Sequence, residues 1–241
     1  MTSGPRPSAD LLPALERYYD AAPGSACDTE DHGALTLFVP RSGFPYYARP
    51  TLGWASAITP HAVTEVLHRQ RELDLPRALE WVHESTPSLL AAARAAGMNV
   101  EECPLLVLDR EPVAPTRVSG VRLVPADDPA LPLVRAAVNV GFRSPGTAVG
   151  PASTADRDAQ AATRPESGRY IQDLVAAGLS VLAGAFDPEA GPVGGGNHNP
   201  RGDVTEIVGV AVLPAFRRRG LAAALTALLA RDALEHGVQT V

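Results

Sequence analysis

The stretch that most constrains this fold runs from Glu206 to Leu225, near the C-terminal end of the sequence. Residues 206–213 are mostly β-branched or small, a composition that is typical of a buried strand. Pro214 ends the predicted strand because proline has no backbone N–H to give to a sheet. After Gly220, leucines recur at helical spacing. The stretch therefore predicts a strand, a tight turn and a helix.

The turn between the predicted strand and helix suits a bound anion. It carries three successive arginines, 217–219, and has nothing bulky at Gly220 or Ala222. The first N–H groups of a helix have no partner inside the helix, and the helix macrodipole adds positive character at the same end. A phosphate docked there would receive backbone hydrogen bonds as well as charge. A solvated arginine cluster on a plain strand-to-helix turn is the alternative interpretation.

The pattern Val212-x-Pro214-x-x-Arg217-x-x-Gly220-x-Ala222 resembles the acyl-CoA-binding motif of the GNAT acetyltransferase superfamily. That motif is Gln/Arg-x-x-Gly-x-Gly/Ala after a strand that ends in Val-x-Pro. The resemblance implies an α/β fold with a mixed sheet, of the GNAT-like acyl-CoA N-acyltransferase type. It also implies that acetyl-CoA binds through the end of the strand and the following turn. The cofactor-binding residues implied are Val210, Ala211, Val212, Arg217, Arg218, Arg219, Gly220, Leu221, Ala222 and Ala223.

Glu206 is the catalytic residue that the resemblance implies. Acetyl transfer to an amine needs a base, because a protonated amine cannot attack a thioester. Many GNAT enzymes use a glutamate on this strand, so Glu206 is the candidate general base. A solvated carboxylate at a strand end is the alternative.

Several other functional classes lack support in the sequence. All 21 basic residues are arginine, so a P-loop with its lysine is excluded, and no G-x-G-x-x-G follows a strand. A net charge of −6 argues against a nucleic-acid-binding surface. The six histidines form no metal signature. Two cysteines, no apolar signal core and no membrane-length apolar run predict a cytoplasmic protein.

The chain is expected to contain two lobes. Residues 1–110 form an N-terminal α/β lobe that resembles a degenerate or partial GNAT-like copy, residues 111–117 are a Pro-rich linker, and residues 118–241 form the GNAT acetyltransferase domain. The predicted helices are 8–20, 59–73, 86–97, 127–140, 165–177 and 220–236. The predicted strands are 33–39, 79–83, 98–109, 120–124, 179–186 and 206–213. The stretches 141–164 and 187–203 are predicted to be loops, the latter with a flexible Gly194-Gly195-Gly196 segment.

The resemblance predicts an enzyme that transfers an acetyl group from acetyl-CoA to an amine acceptor, either a small molecule or a peptide. A non-catalytic acyl-CoA-binding or regulatory module is the alternative. The printed sequence stops at Val241, where the family's next strand would begin, so the domain is expected to be C-terminally incomplete. An apolar strand edge left exposed invites association. We therefore expect these 241 residues alone to be poorly stable or to form a homodimer.

Overall fold

The structure is a computed structural model that describes residues 8–24, 26–41, 45–108, 112, 120–163 and 166–241. The chain divides into two compact units, an N-terminal one up to Leu106 and a C-terminal one from Val107. Most of the predicted linker, 111–117, lies outside the described residues, so its conformation stays a prediction.

The N-terminal unit combines three helices with a three-stranded antiparallel sheet of order β1-β2-β3. Its elements are α1 (Ser8–Ala21), β1 (Cys27–His32), β2 (Leu35–Pro40), β3 (Ala48–Pro50), α2 (Pro60–Glu72) and α3 (Ser88–Ala95). Thr59 caps α2 through its side chain, which accepts a hydrogen bond from the N–H of Ala62 at 3.3 Å. The three helices expected here are therefore present.

Two strand predictions in the N-terminal unit are wrong. The 79–83 strand is reduced to a single bridge between Leu79 and Ala48, and none of residues 98–108 lies in a strand. Residues 101–106 are exposed, so an apolar run there does not meet a neighbouring strand. Conversely, β1 escaped prediction because Cys27-Asp-Thr-Glu-Asp-His32 is polar. It is an edge strand with mostly solvent-accessible side chains.

The C-terminal unit is a four-stranded antiparallel sheet, order β4-β5-β6-β7, with helices packed on it. Its elements are β4 (Val121–Leu123), α4 (Leu131–Arg143), α5 (Thr154–Thr163), α6 (Glu166–Ala176), β5 (Val181–Asp187), β6 (Gly191–Arg201), β7 (Val204–Val212), a 3₁₀ turn (Pro214–Phe216) and α7 (Leu221–Glu235). The predicted strand, turn and helix at 206–236 are thus confirmed, as is the mixed α/β class.

The flexible loop predicted around Gly194-Gly195-Gly196 is wrong, because these glycines lie in the central strand β6. They are needed for close packing. A Cβ on Gly195 would lie 2.5 Å from a methyl group of Val134 on α4, and one on Gly194 would lie 2.7 Å from the carbonyl oxygen of Ala211. A glycine run therefore allows a helix to approach the sheet here.

Helices α4 and α7 cover opposite faces of the sheet. Along β6, Gly195 faces α4, whereas the side chain of His198 meets Asp232 on α7. Because strand side chains alternate, these two positions point to opposite faces. The core is built from apolar residues of both helices and of β5 and β6: Ala137, Val140, Ala183, Ala185, Val193, Leu225 and Leu229.

Part of the long loop predicted at 141–164 is helical, since α5 occupies Thr154–Thr163. Its buried Arg157 donates from Nη1 to the carbonyl oxygens of Ala190 (2.8 Å) and Pro192 (2.6 Å). An arginine in a polar, alanine-rich stretch thus fixes α5 to the β5–β6 turn. Residues 144–153 remain without regular structure.

Candidate active site

The C-terminal unit contains an open cleft of about 610 Å³. Three segments line it: the end of α4 with the following loop, the end of β7, and the turn that begins α7. The lining residues are Gly141, Phe142, Ser144, Pro145, Gly146, Thr147, Val210, Ala211, Val212, Phe216, Arg217, Arg218, Gly220, Leu221, Ala222 and Ala223. All the predicted cofactor residues except Arg219 therefore line one cleft.

Strand β7 presents an unpaired edge next to this cleft. Its outer edge is paired only at its start, where Val204 bridges Thr240 and the N–H of Thr205 donates to the carbonyl oxygen of Thr240 at 2.9 Å. Within the described chain, residues 207–212 have no strand on that side. Backbone groups on such an edge can pair with an extended ligand.

A β-bulge lies in β7 immediately before the cleft residues. Asn197 pairs with Val208 and Gly195 pairs with Ala211, so Gly196 on β6 faces two residues on β7. Gly209 adopts φ 67°, a left-handed conformation that glycine adopts without steric cost. The bulge changes the direction of the backbone N–H and C=O groups that follow it, which are those of Val210 and the next residues.

The turn before α7 provides a row of free backbone donors. The N–H groups of residues 218–223 have no acceptor among the residues that the structure describes. The first intrahelical bond is the one from the N–H of Ala224 to the carbonyl oxygen of Gly220, at 3.0 Å. Gly220 (φ 78°) and Arg218 (φ 65°) both adopt left-handed conformations. Alternating backbone conformations of this kind gather N–H groups into a concave anion site.

The three arginines of the turn have different environments. Arg217 is half-buried, and its guanidinium donates to five backbone carbonyl oxygens: Val212 (3.2 Å), Gly146 (2.9 Å), Ala148 (3.3 Å), Gly141 (2.9 Å) and Ser144 (2.8 Å). Arg219 lies 3.4 Å from a carboxylate oxygen of Asp187 and stacks 4.9 Å above the ring of Phe216.

Arg218 is different from both neighbours. It is exposed, lines the cleft, and forms no hydrogen bond or ion pair with any described residue. Its positive charge is therefore available to a ligand in the cleft, whereas the charge of Arg219 is partly offset by Asp187.

Glu206 lies on β7 outside the cleft lining. It is half-buried and stands opposite Asn199 in the β6–β7 register. At about 3.3 Å per residue, it is roughly 13 Å along the strand from Val210. Its role as a base stays a prediction.

A row of polar side chains accompanies Glu206 on the sheet, and the sequence analysis missed it. Asn197, two residues before Asn199, shares its face and donates from Nδ2 to the Asn199 Oδ1 at 2.9 Å and to the Ser180 Oγ at 3.1 Å. The signal was present as Asn197-His-Asn199, an alternating polar pair inside a strand. It was obscured by the glycines before it, which made the segment look like a loop.

The loop wall of the cleft was also missed at the level of single residues. Phe142, at the end of α4, is 63% exposed, although aromatic side chains are usually buried. An exposed aromatic ring beside a cleft is a ready contact for an apolar ligand group. The unusual run of small residues and prolines after it predicted a functional loop, but not which residues would line the cleft.

Comparisons with known proteins agree with this geometry. Residues 153–241 match the family described as "Acetyltransferase (GNAT) family". A search of curated proteins gives no match. Among solved structures, the chain is similar to a GCN5-related N-acetyltransferase from Kribbella flavida, with 20% identity and a TM-score of 0.64. The match covers 95% of this chain and 83% of that one, and it shows the GNAT fold.

Two further properties concern the whole described chain. Among the described residues, no group of three or more His, Cys, Asp or Glu side chains is placed to hold a metal ion. No described helix has both the length and the apolar character needed to cross a membrane.

Proposed function

We propose that the protein transfers an acetyl group from acetyl-CoA to an amine, either a small molecule or a peptide, by direct attack of the amine on the thioester. The GNAT family match and fold support an acyltransferase role. Acetyl-CoA as the donor and an amine as the acceptor are the parts that we add.

The observation that carries this proposal is the row of six consecutive N–H groups at residues 218–223 without an acceptor in the described chain. Each would otherwise have to be satisfied by water. A pyrophosphate has enough oxygen atoms to accept from several of them at once, and the helix dipole of α7 favours negative charge at this end. The guanidinium of Arg218, exposed in the cleft, would add countercharge.

The unpaired edge of β7 supports the second half of the proposal. The pantetheine arm of acetyl-CoA contains two amides, which can pair with the backbone of Val210, Ala211 and Val212 as an added strand would. That pairing would lead the acetyl group along β7 towards the bulge at Gly209. A backbone N–H there would stabilise negative charge that develops on the thioester oxygen. Glu206, further along the strand, would take up the amine proton through water.

The decisive experiment has two parts. Isothermal calorimetry should show that acetyl-CoA binds the protein, and that Gly220→Glu abolishes this binding because a carboxylate then occupies the phosphate position. Thiol release should then be followed across a panel of primary amines and N-terminal peptides. Turnover with any of them supports the acetyltransferase.

The controls separate the alternatives. Gly237→Glu is a matched control, because Gly237 also has a positive φ (85°) at the other end of α7. It should bind acetyl-CoA as the wild type does. Tight binding without turnover on any amine would favour a non-catalytic acyl-CoA-binding module. Equal acetyl-CoA affinity in the wild type and Gly220→Glu would refute the proposed phosphate site.

A further inference from the structure

We infer that Arg217 is a positioning residue: it fixes the loop wall of the cleft, residues 141–148, to the turn that begins α7, and it does not bind phosphate. The first half of this inference rests on geometry alone. The second half rests on the proposed function, since it concerns where the phosphates of acetyl-CoA find their countercharge.

The hydrogen bonds of Arg217 support the inference most directly. A guanidinium has five N–H groups, and here each has a carbonyl acceptor: one on Nε, two on Nη1 and two on Nη2. No N–H of Arg217 is left for an anion. A phosphate could recruit this side chain only by breaking bonds to the loop.

The position of the acceptors explains why an arginine is required. The carbonyl oxygens of Gly141 and Ser144 lie at the C-terminal end of α4, where the helix dipole is negative, and that of Gly141 also accepts from the N–H of Ser144 at 3.2 Å. The oxygens of Gly146 and Ala148 belong to the irregular loop that follows. A planar, always charged group can reach both sets at once, whereas an ammonium is a compact point charge.

The loop itself has few other means of being held. Residues 145–149 are exposed, so they bury little apolar surface. Besides Arg217, two backbone hydrogen bonds join this region to the turn: Gly150 N–H to Pro214 O at 3.2 Å, and Ala215 N–H to Ala152 O at 3.1 Å. Phe142, which lines the cleft, directly follows Gly141, an acceptor of Arg217. Arg217 thus sets the position of a cleft wall through contacts with its backbone.

The neighbouring arginine makes the division of roles testable. Arg218 has the same charge one residue away, lines the same cleft and has no described partner. A role in phosphate binding requires charge, which lysine retains. A role as a five-donor clamp requires the guanidinium, which lysine does not replace. The substitutions Arg217→Lys and Arg218→Lys therefore differ in what they remove.

Amide hydrogen exchange on the ligand-free protein tests the clamp. In Arg217→Lys, the amides of Ser144 and Gly150 should exchange about tenfold faster or more, because several hydrogen bonds that hold the loop are lost. Arg218→Lys should leave them unchanged. The amide of Leu213, which donates to Val193 O at 2.8 Å inside the sheet, serves as an internal reference for global stability. If the amides of Ser144 and Gly150 exchanged at the wild-type rate in Arg217→Lys, the inference would be overturned.

Acetyl-CoA binding tests the second half. By calorimetry at several salt concentrations, Arg218→Ala should weaken binding and reduce its salt dependence, because exposed charges are screened by salt. Arg217→Ala should reduce the salt dependence less than Arg218→Ala does, because the Arg217 guanidinium is bonded to backbone carbonyl oxygens and not to the phosphates. An equal reduction of the salt dependence in Arg217→Ala and Arg218→Ala would overturn the assignment of Arg217 to the loop wall.

A measurement on the wild type guards against variants that fail to fold. In NMR spectra, the Nε–H proton of Arg217 should exchange slowly with water and should not shift when acetyl-CoA is added. The Nε–H of Arg218 should exchange fast and should shift. A large shift of Arg217 on addition of acetyl-CoA would refute the inference. If acetyl-CoA does not bind at all, the proposed function fails. The exchange rate of the Arg217 Nε–H still tests whether Arg217 holds the loop.

Discussion

The buried hydrogen-bond chain Thr205–His198–Asp232 connects β7, β6 and α7, and its removal should destabilise the C-terminal unit. His198 is only 2% exposed; its Nε2 lies 2.9 Å from Asp232 Oδ2, and its Nδ1 lies 2.9 Å from Thr205 Oγ1. With a neutral ring, Nε2–H donates to the carboxylate and the threonine hydroxyl donates to Nδ1, so both nitrogens are satisfied. The perturbation that we choose is Asp232→Ala.

The expected magnitude follows from the partners. A hydrogen bond to a charged group contributes about 1.5–3 kcal/mol, and a buried donor left without an acceptor costs a comparable amount. Asp232→Ala therefore should lower the free energy of unfolding by about 3 kcal/mol. Asp232→Asn retains an amide oxygen that can accept from Nε2–H, so it should cost only about 1 kcal/mol. The graded series separates loss of charge from loss of the acceptor.

The assay must distinguish the two units. Both tryptophans of the chain, Trp54 and Trp81, lie in the N-terminal unit, so their fluorescence reports on that unit during urea unfolding. Far-UV circular dichroism reports on the helices of both units. Amide exchange of the β6 and α7 backbone assigns the loss to the C-terminal unit. A cycle with Thr205→Val then measures the coupling between the two partners of His198.

A small effect would refute this reasoning. If Asp232→Ala lost less than about 1 kcal/mol, the histidine would have found water or another acceptor, and the chain would not be the link between sheet and helix that its burial indicates. Equal losses for Asp232→Asn and Asp232→Ala would show that charge, rather than an acceptor at this position, is what matters.

Three further predictions concern the C-terminal unit. Glu206→Gln should lower kcat by about 10²-fold with unchanged acetyl-CoA affinity if Glu206 is the base, and an unchanged pH–rate profile would exclude that role. Gly209 and Gly202 both have a positive φ (67° and 63°), so substitution of either by alanine introduces similar backbone strain of about 1–2 kcal/mol. Only Gly209→Ala would also place a Cβ 3.1 Å from Asn197 Oδ1. Urea unfolding should therefore show Gly209→Ala to be the more destabilising. Equal losses of unfolding free energy in the two variants would show that the contact with Asn197 has no energetic effect. Asp128, just before α4, accepts a hydrogen bond from the N–H of Ala130 at 2.8 Å. The pKa of the Asp128 carboxyl is lowered mainly by its hydrogen bond from the Arg122 guanidinium and to a smaller extent by the one from the Ala130 N–H. Because the pKa of Asp128 is lowered in the folded state, its stabilisation is present above the ordinary pKa and is lost as the pH falls below about 4. Asp128→Ala should therefore lower the free energy of unfolding by about 1 kcal/mol at neutral pH and by less in acid. A loss in Asp128→Ala that stays constant from neutral pH into acid would contradict that linkage.

The strand, turn and helix at 206–236 could be predicted from the sequence because their signals are local. Pro214 and Gly220 mark the turn, and the leucine spacing marks α7. Most helices were likewise predicted to within a few residues. The prediction of an anion site at this turn follows from helix geometry alone, and every predicted cofactor residue except Arg219 lines the cleft.

The misassigned segments depended on their neighbours in space. Three glycines in succession are typical of a flexible loop, and only the packing of Val134 against Gly195 shows why they lie in a central strand. Residues 98–108 form no strand, because their described backbone pairing with a distant segment is limited to one hydrogen bond, from Leu108 N–H to the carbonyl oxygen of Val241 at 2.9 Å. Whether a segment joins a sheet is decided by a partner strand, which its own residues do not specify.

By itself, the sequence determined the helix and strand periods, the turn before α7 and the resemblance carried by Arg217-x-x-Gly220-x-Ala222. Only the tertiary structure decided the environment of each arginine in that turn. The carbonyl acceptors of Arg217 at 141–148 lie some seventy residues earlier in the chain, and Asp232 meets His198 across 34 residues. Hydrogen bonds between such distant groups form only after the chain has folded, so composition and spacing cannot distinguish a guanidinium bound to backbone carbonyls from one that is open to a ligand.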